Sequence, residues 1–92
     1  MRTIVKTRLF EEQMRELFEN GVRGADEFIE ATEWALARRA ELGTLTTTDN
    51  PPVWFLPIVE DVTRVTRLVV YYTFDVDCVY LLSIQVATGS AN

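Results

Sequence analysis

Glu60 and Asp61, followed by Arg64 and Arg67, are the residues whose types and spacing best suit chemistry. A guanidinium binds phosphate bidentately, and a carboxylate beside it supplies an acid or a base, so the group reads as an anion-binding, acid-base cluster with Arg64 and Arg67 as the candidate catalytic residues. The same four side chains read equally well as a polar loop held by local ion pairs. Asp75 and Asp77 stand two apart and could approach a divalent cation, but no further oxygen ligands accompany them, and turn chemistry accounts for both. Tyr71, Tyr72 and Tyr80 suit sheet packing, and one of them on an open face could stack a base. Glycine-rich phosphate loops and nucleophile elbows are absent, and no metal or cofactor is expected.

Histidine is missing from the chain and Cys78 is its one cysteine, which removes imidazole bases, Cys/His zinc sites and internal disulfides. Cys78 lies in an apolar run, as a small buried hydrophobe of a reducing compartment would. At 92 residues, with 48% hydrophobic and 25% charged residues, the chain fits one globular domain with a real core. The excess of 14 acids over 9 bases, a net charge of -5, opposes diffuse attraction to nucleic acid or to an anionic membrane. Every apolar run falls short of the ~18 to 20 residues that span a bilayer, so a cytoplasmic protein without a membrane partner is expected.

Periodicity supplies the elements that must position these residues. Arg2 to Lys6 reads as a short strand. Phe10, Met14, Leu17 and Phe18 recur at helical spacing over Leu9 to Asn20, with Thr7 as N-cap and Asn20-Gly21 as stop. A second helix is predicted from Asp26 to Leu42, with Phe28, Ile29, Thr32, Ala35, Leu36 and Leu42 on its stripe, Arg38 and Arg39 complementing the dipole of its last turns, and Gly43 ending it. The short link at 21–25 makes the pair an antiparallel hairpin. Gly43 to Pro52 has loop composition, and Val53 to Val59, Arg67 to Phe74 and Cys78 to Ala87 read as strands, with Pro57 at a bulge or an unpaired side.

The expected fold is therefore α+β: a single domain over 1–87 in the order βααβββ, with two antiparallel helices on a mainly antiparallel four-stranded sheet and a frayed tail at 88–92. Its core is expected at Phe10, Met14, Leu17, Phe28, Leu36, Val70, Tyr72, Leu82 and Ile84. Strict alternation sends Val70, Tyr72 and Phe74, with Tyr80, Leu82, Ile84 and Val86, toward the helices. It leaves Val69, Tyr71, Val79 and Leu81 on a face that two helices cannot cover, where they form the candidate partner-binding surface, for a partner chain or a second copy.

This order of elements resembles the RelE/ParE toxin superfamily of bacterial toxin-antitoxin systems. The run Arg67-Leu68-Val69-Val70-Tyr71-Tyr72 looks like that family's arginine-led third strand, and Val79-Tyr80-Leu81-Leu82-Ser83-Ile84, after an acidic turn, looks like its apolar final strand. The resemblance implies a compact toxin neutralised by an antitoxin protein, acting on translation by mRNA cleavage at the ribosome or, in the ParE branch, on DNA gyrase. Arg67 is the position that carries across. The ribonuclease branch lines its second strand and the region after its last strand with basic residues, whereas Val53 to Val59 and Gln85 to Asn92 contain none.

Overall fold

A computed structural model of the chain describes residues 1–20, 25–47, 50–59 and 66–88. Strand β1 is Thr3–Lys6, helix α1 Arg8–Glu19, helix α2 Ala25–Arg38, and the sheet continues with β2 Thr44–Thr47, β3 Val53–Val59, β4 Thr66–Phe74 and β5 Cys78–Thr88. A 3-10 turn at Ala40–Leu42 follows α2. The strands form one sheet in the order β1-β5-β4-β3-β2. The architecture is α+β as expected, but the sheet has five strands and is mixed, because β1 runs parallel to β5 while the other pairs are antiparallel.

Helix α1 starts where the Thr7 hydroxyl accepts the N–H of Phe10 at 3.3 Å. The same hydroxyl reaches the carbonyls of Leu81 and Leu82 at 2.9 and 3.1 Å, so the cap also fastens the helix to β5. Phe10 and Leu17 are buried and Met14 packs beside them, which places these three on the sheet, whereas Phe18, expected on the same stripe, is 72% exposed and points to solvent. Helix α2 lays Ile29, Thr32 and Leu36 against the same core and is tied to the start of the chain by the Arg2 N–H, which donates to Ala37 O at 2.7 Å. Lys6 and Glu33 pair at 3.1 Å between β1 and α2.

The second helix ends at Arg38, short of the expected Leu42, for a visible reason. The buried Tyr72 hydroxyl donates to Ala40 O at 2.7 Å and accepts the N–H of Gly43 at 2.9 Å. A phenol in the core must be satisfied, and these two bonds hold the chain in a tighter turn. The chain leaves that turn as a strand: Thr44 and Leu45 pair with Phe55 and Trp54, which corrects the expected loop over Gly43 to Pro52. Pro57 lies beyond the reach of β2, which pairs with β3 only as far as Phe55, so its missing N–H falls on an unpaired side.

The largest correction concerns β5. Tyr71 faces Ser83 and Tyr72 faces Leu81, so Leu82 has no partner and forms a β-bulge. Residues before the bulge are out of phase with those after it. Val79, Leu81 and Ile84 all face the helices, at 0%, 0% and 2% exposure, whereas Leu82 is half-buried. The face assigned to Val79 and Leu81 from strict alternation is thus reversed. The remaining expected core residues are buried or pack on it.

Two stability outcomes follow. Leu81→Ala is expected to cost about 2 to 5 kcal/mol in denaturant unfolding and Leu82→Ala roughly 1 kcal/mol, the reverse of what alternation implies. A Cβ on residue 43 would collide with the Phe55 carbonyl oxygen and stand 2.6 Å from the Tyr72 hydroxyl. Gly43→Ala is therefore expected to lower stability by roughly 1 to 3 kcal/mol, read from the same denaturant midpoint.

Candidate functional site

Both helices pack on the side of the sheet that carries Leu68, Val70, Tyr72, Val79, Leu81 and Ile84. The intervening residues form the opposite face. Phe55 and Tyr71 are register partners on adjacent strands, and their rings lie 6.5 Å apart in a tilted arrangement. Val69 stands beside Tyr71 across from Pro57, and Tyr80 extends the face onto β5 opposite Thr73 and beside Val5. Phe55, Val69, Tyr71 and Tyr80 are half-buried, Pro57 and Val5 are exposed, the latter at 37%, and Thr73 is buried with its hydroxyl donating to Pro52 O at 2.7 Å. The described residues of both helices that reach the sheet pack on its other side, and the segment at Pro52 meets this face at Thr73.

Of the four expected partner-binding residues, Val69 and Tyr71 are brought together here, while Val79 and Leu81 belong to the core. Phe55 and Tyr80 take their places. Phe55 is detectable only once β3 is registered on β4, and Tyr80 only once the bulge is known. Arg64, with Glu60 and Asp61, lies outside the described residues. Arg67 takes its backbone place in β4, opposite Val59 on one side and Ala87 on the other, and its side chain is outside the description. Among the described side chains of the open face none is ionised.

The polar end of the face is the β4-β5 turn. Asp75 Oδ1 accepts the N–H groups of Cys78 at 2.7 Å and Asp77 at 2.8 Å, and its Oδ2 accepts the Tyr80 hydroxyl at 3.1 Å. Arg2 Nε donates to Asp75 O at 2.7 Å, and its guanidinium lies 5.1 Å from the centre of the Phe74 ring. The carboxylate is spent on closing the hairpin, in keeping with the turn reading. Among the described residues no group of His, Cys, Asp and Glu is arranged to hold a metal ion. No described helix is long and apolar enough to cross a membrane.

Comparison of the chain with protein-family models, with curated proteins and with solved structures returns no match.

The turn carries a pH signature. The N–H groups of Cys78 and Asp77 hold the Asp75 carboxyl below its usual 3.8, so its contribution to the hairpin is present above that value and is lost as pH falls through the lowered one. The Cys78 side chain, and then the Asp75 carboxylate, push the Tyr80 hydroxyl up to about 12. The contribution of Tyr80 is thus complete below the ordinary tyrosine value of about 10 and is lost as pH rises through 12. Burial also raises Tyr72. Tyrosinate absorbance is expected to develop late for Tyr72 and Tyr80, and Tyr80→Phe should remove the component near 12.

Proposed function

We propose that this chain is the toxin-type component of a bacterial toxin-antitoxin pair, held inactive by an antitoxin that lies on its open sheet face. The observation that carries the reading is the one-sidedness of the sheet: Phe55, Val69, Tyr71 and Tyr80 form an apolar, aromatic surface on the side away from both helices. The order of two helices followed by an antiparallel meander, with Arg67 near the start of β4, also suits a RelE/ParE-like chain. In this reading the target is translation, through mRNA cleavage, or DNA gyrase.

Cleavage of RNA without a metal draws on cations held at the scissile phosphate. Arg67 and Arg64 are the residues proposed for that role, with phosphate or an acidic protein surface as their counterpart. One observation favours a second reading, a non-catalytic interaction or homodimerisation module: the described part of the face carries no cation, which suits an uncharged protein surface better than a nucleic acid.

Expression without an antitoxin separates the two. The toxin reading expects growth arrest, relieved by Arg67→Ala more than by Arg38→Ala. Arg38 is already engaged in its own helix, its guanidinium 3.8 Å from the Trp34 ring centre and its Nη1 donating to Trp34 O at 3.0 Å. Purified protein is expected to leave free RNA uncut, since one or two arginines stabilise the charged transition state poorly. Growth indifferent to expression transfers the conclusion to the interaction module, and a small antitoxin-like reading frame beside the gene returns it to the toxin.

A further inference from the structure

Strand β5 is paired along its outer side for only part of its length. β1 accompanies it from Thr3 beside Cys78 to Lys6 beside Leu81 and then ends. Residues of α1 and its cap take over the edge. The Thr7 N–H donates to Leu81 O at 3.1 Å, the Thr7 hydroxyl reaches the Leu82 carbonyl, and Gln13 Oε1 accepts the Ile84 N–H at 2.9 Å. The Ile84 N–H therefore points away from β4, which makes Val70 and Ile84 a non-hydrogen-bonded pair. Antiparallel ladders alternate, so Leu68 with Val86 and Thr66 with Thr88 are pairs of the same kind, and the backbone groups of Val86 and Thr88 also turn outward.

No described strand meets them there. Val86 is 41% exposed, and the sequence from Ile84 to Thr88 contains neither a charge nor a proline, the usual means of blunting an edge. The opposite edge is better defended: β2 has four residues, is interrupted by an irregularity, and is followed by Pro51 and Pro52.

We propose that the outer edge of β5 from Ile84 to Thr88 receives an extended segment of a basic partner polypeptide, which adds a strand to the sheet. The charge of the partner follows from α1. Gln13 anchors the helix at Ile84, and positions three and seven further on lie along the same side of a helix, so Glu16 and Asn20 continue over the edge toward Val86. Glu16 is exposed there, whereas Glu12, Arg15 and Glu19, which share an open groove of about 310 Å³ with it, lie on the solvent side of α1 opposite the buried Phe10 and Leu17. Arg8 engages Glu12 at 3.3 Å, and no described ion pair involves Glu16 or Glu19. A second copy of this chain fits poorly, because twofold pairing of β5 with itself would bring two acidic helices to one seam. Lysine or arginine at alternate positions of an incoming strand meets Glu16 favourably.

The proposal is independent of the toxin reading, and none of its readouts is growth. The labelled full chain is titrated with two end-blocked octapeptides, one alternating valine with lysine and one alternating valine with glutamate, while backbone amides are followed by NMR. The valine-lysine peptide is expected to shift and protect the amides of Val86 and Thr88 and to bind roughly tenfold more tightly than its acidic counterpart, an advantage that shrinks with added salt. Val86→Pro removes an outward N–H without touching the β4 ladder and should abolish binding. Should that variant fail to fold, Glu16→Lys carries the test, since it should reverse the preference between the peptides. Absence of binding, equal binding of both peptides, protection at Phe55 and Tyr71 instead, or a Val86 amide already protected in the free protein would overturn the proposal.

Discussion

The unpartnered Leu82 in β5 is the constraint on which the rest of the molecule depends. Leu81 and Ile84 are three positions apart, an odd offset, so an unbroken strand would send one of them to each face. The helix layer needs both, with Val79, to close over Phe10 and Leu17. Burying an aliphatic side chain of this size is worth roughly 1.5 to 3 kcal/mol, against about 1 kcal/mol for a disturbed ladder bond, so the strand bulges. The groups disturbed by the bulge are then taken up by α1: Thr7 approaches the Leu82 carbonyl and Gln13 accepts from Ile84. Helix position and sheet irregularity are one solution to one packing problem.

Tyr72 does comparable work at the other end of the core. Its ring is fully buried, lies 6.4 Å from that of Trp54 and 6.3 Å from that of Phe74, and brings a hydroxyl that the interior cannot leave alone. Ala40 O and the Gly43 N–H satisfy it, which stops α2, draws the chain into a 3-10 turn and aims Thr44 along the edge of β3. The close approach leaves no room for a side chain at position 43. A single buried phenol thereby accounts for an early helix end and for an additional strand.

The helices and the three long strands are legible because their periods are clear, and β4 is legible to the face because Leu68, Val70, Tyr72 and Phe74 are all apolar while the alternate set, Arg67, Val69, Tyr71 and Thr73, begins and ends on a polar residue. In β5 the positions from Val79 to Leu82 are all apolar or aromatic, so either phase satisfies the pattern and only tertiary packing chooses between them. Val69 and Tyr71 can therefore be placed from sequence, while the faces of Val79 and Leu81 on one side and Tyr80 on the other come out exchanged. β2 escaped because Thr-rich segments next to prolines read as loops, and this one becomes a strand only through pairing with β3.

The two surfaces left for a partner differ in chemistry, and the difference limits what the partner can be. The described part of the open face is neutral, aromatic and hydroxylated, while α1, which borders the free edge of β5, carries Glu16. A polyphosphate chain finds no described cation on the first and repulsion at the second. A polypeptide suits both, provided its apolar stretch meets Phe55 and Tyr71 and its basic stretch meets Glu16. β5 belongs to both surfaces, through Tyr80 on the face and Val86 at the edge, so one chain crossing it would hold its second segment at high effective concentration once the first had bound. Modest contacts on each side would then suffice for a tight complex.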